Sequence, residues 1–462
     1  MPTRSESPAR IHFLSGVKFM TFAHPVRAGL LSAAVGLAAI AGFADMALAQ
    51  ATATAPAVAD KGDTAWMLTS TLLVLLMIVP GLALFYGGLV RSKNMLSVLT
   101  QVLAVACLSM LMWVAIGYSL AFTEGSPFIG GFAKSFLAGV AKDTVNSGGT
   151  IPEYVFFAFQ MTFASITPAL ALGAFAERTK FSATLLFALL WGILVYYPIA
   201  HMVWQSDGYL MKLGALDFAG GTVVHINAGI AGLVGALIVG KRVGFGKDLM
   251  APHSLTLTFT GGALLWIGWF GFNAGSALAA NDVAALALVN TLLATAAAAL
   301  SWMFVEWAAK GKASLLGTVS GVIAGLVAIT PAAGLVGPIG GIVLGLVGGA
   351  VSFFFCTTVK NAFGYDDTAD VFGVHGVAGI VGSIGTGVFV SASLGGVGVE
   401  NYDMATQVWN QIVAVIIAIV WCGVISAIIF KVIDLTIGLR PATDAEREGL
   451  DITDHGERAY NM

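Results

Sequence analysis

Eleven apolar runs of about 20 residues, the length a helix needs to cross a bilayer, divide most of the chain. They lie near 65–90, 96–122, 154–176, 181–203, 217–240, 254–277, 284–309, 314–333, 337–357, 371–392 and 405–436. The pattern predicts an all-α integral membrane protein with eleven transmembrane helices between 65 and 436. Residues 1–49 read as a signal peptide: Arg27 precedes the apolar stretch from Ala28 to Val35, and Ala47-Leu48-Ala49 before Gln50 is a cleavage-like site. The alternative is an uncleaved first span. Arg4, Arg10 and Lys18 make a long basic leader, so translation starting at Met20 is a further reading. Residues 50–64 form a polar, exported stretch, and 437–462 a mixed-charge tail.

Charge between the runs orients them. Loops after spans 1, 3, 5, 7 and 9 hold Arg91, Lys93, Arg178, Lys180, Lys241, Arg242, Lys247, Lys310, Lys312 and Lys360; the opposite loops hold only Lys134, Lys142 and Lys212. Basic residues accumulate in cytoplasmic loops, so the N-terminus is expected outside and the C-terminus in the cytoplasm. Composition agrees: 58% of the 462 residues are hydrophobic and 10% charged, against about 25% charged in soluble domains. The net charge of -3 comes without a basic patch, which argues against nucleic acid. Cys107, Cys356 and Cys422 lie in apolar runs without metal-type spacing and read as small core residues. The 57 glycines predict close helix packing.

Against that background the intramembrane ionisable groups stand out, since they usually face a cavity or partner. Asp217-Phe218-Ala219-Gly220-Gly221-Thr222-Val223-Val224-His225 opens span 5, and Asp370-Val371-Phe372-Gly373-Val374-His375-Gly376 opens span 10. Ile166-Thr167-Pro168 in span 3 recurs as Ile329-Thr330-Pro331 in span 8. Features repeating five spans apart imply an inverted five-plus-five helix repeat plus one extra C-terminal helix, with a site at the repeat interface. Asp217 and Asp370, eight and five residues before their histidines, would stand about 12 and 7.5 Å away along helix axes, on opposite sides of the membrane. No shared metal site is expected from that arrangement, and two neutral imidazoles can instead form a polar strip or proton relay. Glycines at 373, 376, 379, 382 and 385 form a ridge that would press a neighbouring helix against His375.

Aromatics gather near one end. Trp269, Phe272 and Ser276 share a helical face by spacing; Phe163 lies in Phe159-Gln160-Met161-Thr162-Phe163, and Trp204 ends His201-Met202-Val203-Trp204. Any one of them fits an interfacial belt. A hydroxyl beside aromatics near the outer ends favours function, since aromatic faces attract cations and a hydroxyl oxygen can accept a hydrogen bond from one.

The motifs DFAGGTVVHINAGIAG (217–232), IGWFGFNAGSA (267–277), FQMTFA (159–164), PIAHMVW (198–204) and DVFGVHGVAGIVG (370–382) resemble the ammonium transporter family (Amt/Mep/Rh), in particular its bacterial members. The likeness runs from about residue 65 to the end and includes the tail around Glu446–Asp451. It implies a homotrimer in a bacterial inner membrane, with one pore per subunit. By this resemblance Trp204, Ser276 and Phe163 bind ammonium, and Asp217 shapes that site. Phe163 and Phe272 gate the pore, His225 and His375 line it, and Trp269 and Thr330 neighbour it. The tail meets neighbouring subunits and a cytoplasmic PII-type nitrogen regulatory protein. Ammonium or ammonia and membrane lipid are the other expected partners; no cofactor, metal or catalytic residue is expected. Two other functions compete: an ammonium sensor signalling through its tail, and a membrane metalloenzyme using the histidines.

Overall fold

The computed structural model describes residues 58–460, so the leader-like segment 1–49 and residues 50–57 of the exported stretch lie outside the described residues. Among the described residues ten helices are long and apolar enough to cross a membrane: α1 (Lys61–Leu89), α2 (Ser92–Phe122), α3 (Glu153–Phe175), α4 (Phe181–Leu213, interrupted at 205–208), α5 (Gly221–Val239), α6 (Leu255–Gly275), α7 (Asp282–Lys310), α9 (Pro338–Phe363), α10 (Phe372–Phe389) and α11 (Met404–Thr436). The eighth run forms the shorter helix α8 (Leu315–Ile329). Each of the eleven apolar runs thus has its helix. Side-chain caps begin several: Asp60, Ser254, Asn281, Ser314 and Asp403 accept the otherwise orphaned amides of α1, α6, α7, α8 and α11.

The most apolar window of α3 is 83% buried, whereas those of α2 and α11 are 33% buried. α3 is therefore central and α2 and α11 peripheral. Leu103 and Leu111 on α2 and Val420, Val424 and Ile428 on α11 are exposed. An apolar face this extended is unsuited to water and fits lipid. Of the three cysteines only Cys422 is buried; Cys356 is half-buried and Cys107 exposed on α2. The reading of all three as core residues is corrected accordingly.

The Ile-Thr-Pro echo has two conformations. Pro168 lies within α3, but α8 ends at Ile329 and residues 330–335 form turns, so the helix is shorter than the run 314–333. The ring of Pro331 removes the N–H needed to continue the ladder.

A second correction concerns the paired carboxylates. Asp217 accepts N–H bonds from Gly220 and Gly221 (2.8 and 2.6 Å) on one oxygen and from Thr222 and Val223 (2.8 and 3.1 Å) on the other. The residue doing this at the start of α10 is Asp367, which accepts from Val371 and Phe372 (3.0 and 2.8 Å). Asp370 instead pairs with Lys360 at 2.7 Å. Asp367 precedes His375 by eight residues, the same interval as from Asp217 to His225. The recurrence is closer than the Asp217/Asp370 pairing implied.

Both capped starts are wound as π-helix, Gly221–Ile226 and Phe372–Val377, a form frequent at functional sites. Gly220 permits the first by taking φ 109°, open only to glycine at little cost. The glycine ridge of α10 serves three neighbours. Gly376 and Gly379 face α5, Gly382 faces Ala328 of α8, and Gly373 and Gly385 face Cys356 and Leu344 of α9.

The tail folds back onto the helix ends. It forms α12 (Thr443–Glu448) and α13 (Leu450–His455). Leu450 donates its N–H to Asn94 (2.8 Å), Asp451 accepts from the Ser97 amide (2.7 Å), and Glu446 accepts from the Val243 amide (2.7 Å).

Candidate functional site

At the end of the bundle opposite the tail, a cavity of about 130 Å³ is lined by Phe122, Phe156, Gln160, Phe163, Trp204, Phe218, Ser276 and Leu278. Three sequence-derived candidates, Phe163, Trp204 and Ser276, meet here from α3, α4 and the C-cap of α6. The Trp204 indole N–H donates to the Asp217 carbonyl at 2.9 Å, which fixes the ring. The Ser276 hydroxyl donates to the Phe272 carbonyl at 2.8 Å, leaving its oxygen lone pairs as acceptors. Asp217 is not in the lining. Its carboxylate is committed to four backbone amides, so it acts by holding the start of α5 and, through its carbonyl, Trp204.

Gln160 also lines the cavity and is absent from the sequence-derived candidates. Its Oε1 is buried without a partner, an unspent acceptor beside the aromatic rings. Its position three residues before Phe163, on the same helical face, was the available signal.

Beneath the cavity the Phe163 and Phe272 rings stack with centroids 4.1 Å apart and planes 19° apart; both are fully buried. Phe163 also meets Trp204 edge-on at 5.8 Å. Past the stack, His225 lies 5.8 Å from the Phe272 ring and stacks on Trp269 at 5.2 Å. His375 follows, its Nδ1 3.3 Å from the Nδ1 of His225, with the imidazole planes 18° apart. One Nδ1 must therefore carry a proton and the other accept it, which puts the two rings in opposite tautomers. His225 Nε2 is buried and unpartnered. Trp269 donates to Thr330 Oγ1 at 2.9 Å, and Thr330 donates to the Leu326 carbonyl at 2.7 Å. Thr330 thus anchors Trp269, which in turn covers His225.

His201 provides a contrast. Its two ring nitrogens face the Ala121 and Ser126 carbonyls at 3.1 and 2.8 Å, so it ties α4 to the α2 end and is spent on structure.

Toward the tail end a second cavity, about 310 Å³, is lined by Glu306, Lys310, Ser314, Ser320, Cys356 and Asp370 among others. The loops at this end also hold a buried ion network. Glu177 accepts from Arg91 Nε (3.0 Å), Asn94 (3.0 Å) and Arg242 (2.5 Å), and Arg242 also pairs with Asp366 at 2.7 Å. Burial alone would raise the Glu177 carboxyl, but Arg242 and Arg91 outweigh it and hold it below the usual carboxylate range. Arg178, fully buried, donates to the Gly240 and Ala174 carbonyls and to Thr368. Its burial lowers the guanidinium to about 10. Sequence reading used Arg91, Arg178 and Arg242 only as indicators of orientation.

The profile of the Ammonium Transporter Family matches residues 65–460. The chain is 49% identical to the ammonium transporter of Bacillus subtilis (strain 168) over 405 residues, covering 87% of this chain and 99% of that one. It is 48% identical to that of Aquifex aeolicus over 410 residues, covering 87% and 94%. Among solved structures, Saccharomyces cerevisiae Mep2 superposes with TM-score 0.74 at 35% identity, covering 83% and 91%. A protein described as a sensor Amt protein superposes with TM-score 0.80 at 28% identity, covering 85% and 98%.

Proposed function

Because the chain belongs to the ammonium transporter family, we propose that this multi-pass membrane protein captures ammonium beside Trp204, Phe163, Gln160 and Ser276, strips a proton from it at the Phe163–Phe272 stack, and conducts ammonia past His225 and His375. The observation that carries the reading is the order of the parts. A cavity of π faces and oxygen acceptors is separated by a buried ring pair from two imidazoles in an apolar surround.

The chemistry follows from solvation. Ammonium in the cavity exchanges water for aromatic faces and the oxygens of Ser276 and Gln160. Moving the intact ion past the phenylalanines into a dry passage costs far more than those contacts return. Ammonia is neutral and escapes that penalty. Potassium is of similar size but has no proton to lose, so it stays behind. The Nδ1–Nδ1 contact between the histidines offers a polar strip for ammonia and a route for the released proton.

The Trp204 end faces outward and the tail end faces the cytoplasm of a bacterial inner membrane, an orientation supported by the concentration of basic loop residues at the tail end. The subunit forms a homotrimer, and its tail receives a PII-type regulator. The order of tail helices 443–455, held by Asn94, Ser97 and Val243, supports a regulatory role.

The test is current in proteoliposomes driven by ammonium or potassium gradients. Ammonium flux without potassium current is expected. Potassium current comparable to ammonium current would remove the deprotonation step.

A further inference from the structure

Glu153 opens α3 at the end where substrate is captured and is 2% exposed. Its Oε1 accepts both the Tyr118 hydroxyl, at 2.6 Å, and the Lys134 ammonium. That ammonium also stands 5.7 Å from the centroid of the Tyr118 ring. All three side chains line a cavity of about 450 Å³ that shares Phe122, Phe156, Trp204 and Leu278 with the smaller capture cavity. A carboxylate oxygen and an aromatic face are what a small N–H cation seeks. Here they already hold one, the chain's own ammonium group.

We propose that Glu153 and Tyr118 form a second cation site, an antechamber upstream of Trp204 and Ser276, occupied at rest by Lys134 as a tethered competitor of the substrate. The two partners are unequally mobile. The Lys134 side chain is 34% exposed and can withdraw into solvent, whereas that of Glu153 is 2% exposed and cannot. A free lysine at the mouth of a cation pathway would repel substrate; bound to Glu153 it leaves the antechamber neutral. When Lys134 withdraws, the vacated carboxylate can take ammonium and hand it to the adjoining cavity. The charge of this pair then sets how readily ammonium enters, while the chemistry beyond the phenylalanines is unchanged. The proposal rests on the reading that ammonium enters from the Trp204 end.

A charge cycle tests it, using initial rates of methylammonium uptake by proteoliposomes at low ionic strength. Lys134→Met frees the carboxylate and should lower KM by about two- to fivefold, Glu153→Gln should raise it by a similar factor, and the double variant should return close to wild type. Lys134→Arg should keep the wild-type KM. The differences should vanish at about 1 M salt, where the screening length is about 3 Å. A pair that only braces the fold predicts otherwise: both single variants would impair uptake in the same direction. That result, or an unchanged KM in Lys134→Met, overturns the proposal. Ser276→Ala separates this from the capture site. If it leaves KM unchanged, the capture reading fails; if it raises KM while the cycle is flat, only the antechamber fails.

Discussion

Gly229 of α5 and Gly376 of α10 cross so closely that a Cβ on Gly229 would stand 2.3 Å from the Gly376 Cα. This crossing lies within one helical turn of both histidines, four residues past His225 and one past His375. Gly229→Ala must therefore push two backbones apart, since no flexible side chain is there to yield. Overpacking of this kind costs about 1–3 kcal/mol. The variant should lower the apparent melting temperature in detergent and reduce ammonium flux at least tenfold as the imidazoles separate. Gly423→Ala, whose nearest neighbour would be Ile230 at 3.6 Å, is the control and should be close to wild type in both. Wild-type flux in Gly229→Ala would show that the imidazole contact is dispensable.

The histidine pair should decide selectivity as well as rate. His225→Glu or His375→Glu puts a carboxylate in the passage, and an anion offsets part of a cation's desolvation cost. The expected outcome is potassium current, or altered proton coupling, in the same liposomes where wild type is expected to exclude potassium. Ser276→Ala should raise KM for ammonium and leave potassium excluded. If both histidine variants keep wild-type flux and exclude potassium, the twin-histidine mechanism is wrong.

Three carboxylates that look alike in the sequence should differ in cost when neutralised. Asp217 accepts four backbone amides and Asp367 two, while Asp370 makes only a partly exposed pair with Lys360. An amide in place of a buried carboxylate turns one acceptor into a donor facing N–H groups, at about 1–3 kcal/mol for each group left unpaired. Thermal stability should fall most for Asp217→Asn, less for Asp367→Asn and least for Asp370→Asn. A loss for Asp370→Asn equal to that for Asp217→Asn would contradict the assignment.

The Glu177 network predicts a particular pH dependence. Its carboxyl is held below the ordinary range in the folded protein by Arg242 and Arg91, against the opposing effect of burial. A depressed folded value means that its contribution is present above the unfolded pKa of about 4.3 and is lost as pH falls through the folded value. Melting temperature should therefore hold from neutral pH down to about pH 4 and then drop. Glu177→Gln leaves Arg242 short of a buried partner. It should cost about 3–5 kcal/mol at neutral pH and flatten the acid drop. An unchanged acid profile in that variant would shift the cause to other carboxylates.

If the proposed trimer and PII-type regulation hold, removal of residues 437–462 should leave assembly intact, as read by native mass, and abolish inhibition by the regulator. A milder probe is Glu446→Gln, which weakens the tie to Arg440 and to the Val243 amide and should lower partner affinity. Inhibition that survives truncation would place the regulator's contact elsewhere.

Much of this architecture could be read from the chain because it depends on local regularity. Runs of apolar side chains locate helices without reference to any partner, and every one of the eleven runs has its helix. Motif residues likewise found one another: Phe163, Trp204 and Ser276 line one cavity, and His225 and His375 touch through their Nδ1 atoms. Other features stayed hidden because carboxylates and guanidinium groups carry no mark of their partners. Asp367 and Asp370 stand three residues apart, and only the direction of the backbone entering α10 decides that the first caps the helix while the second turns to Lys360. Arg91, Arg178 and Arg242 look in the sequence like solvated cytoplasmic charges, yet Arg178 and Arg242 are buried and Arg91 joins the same ion network, because loops distant in sequence converge there with Glu177 and Asp366. The sequence by itself determined where the apolar helices of the described residues lie and which motifs they carry, since helix formation and membrane burial are set by nearest neighbours and length. Only the tertiary structure decided which polar atoms are spent and which, like Gln160 Oε1 and His225 Nε2, are left without a partner. That outcome depends on groups brought together from distant parts of the chain.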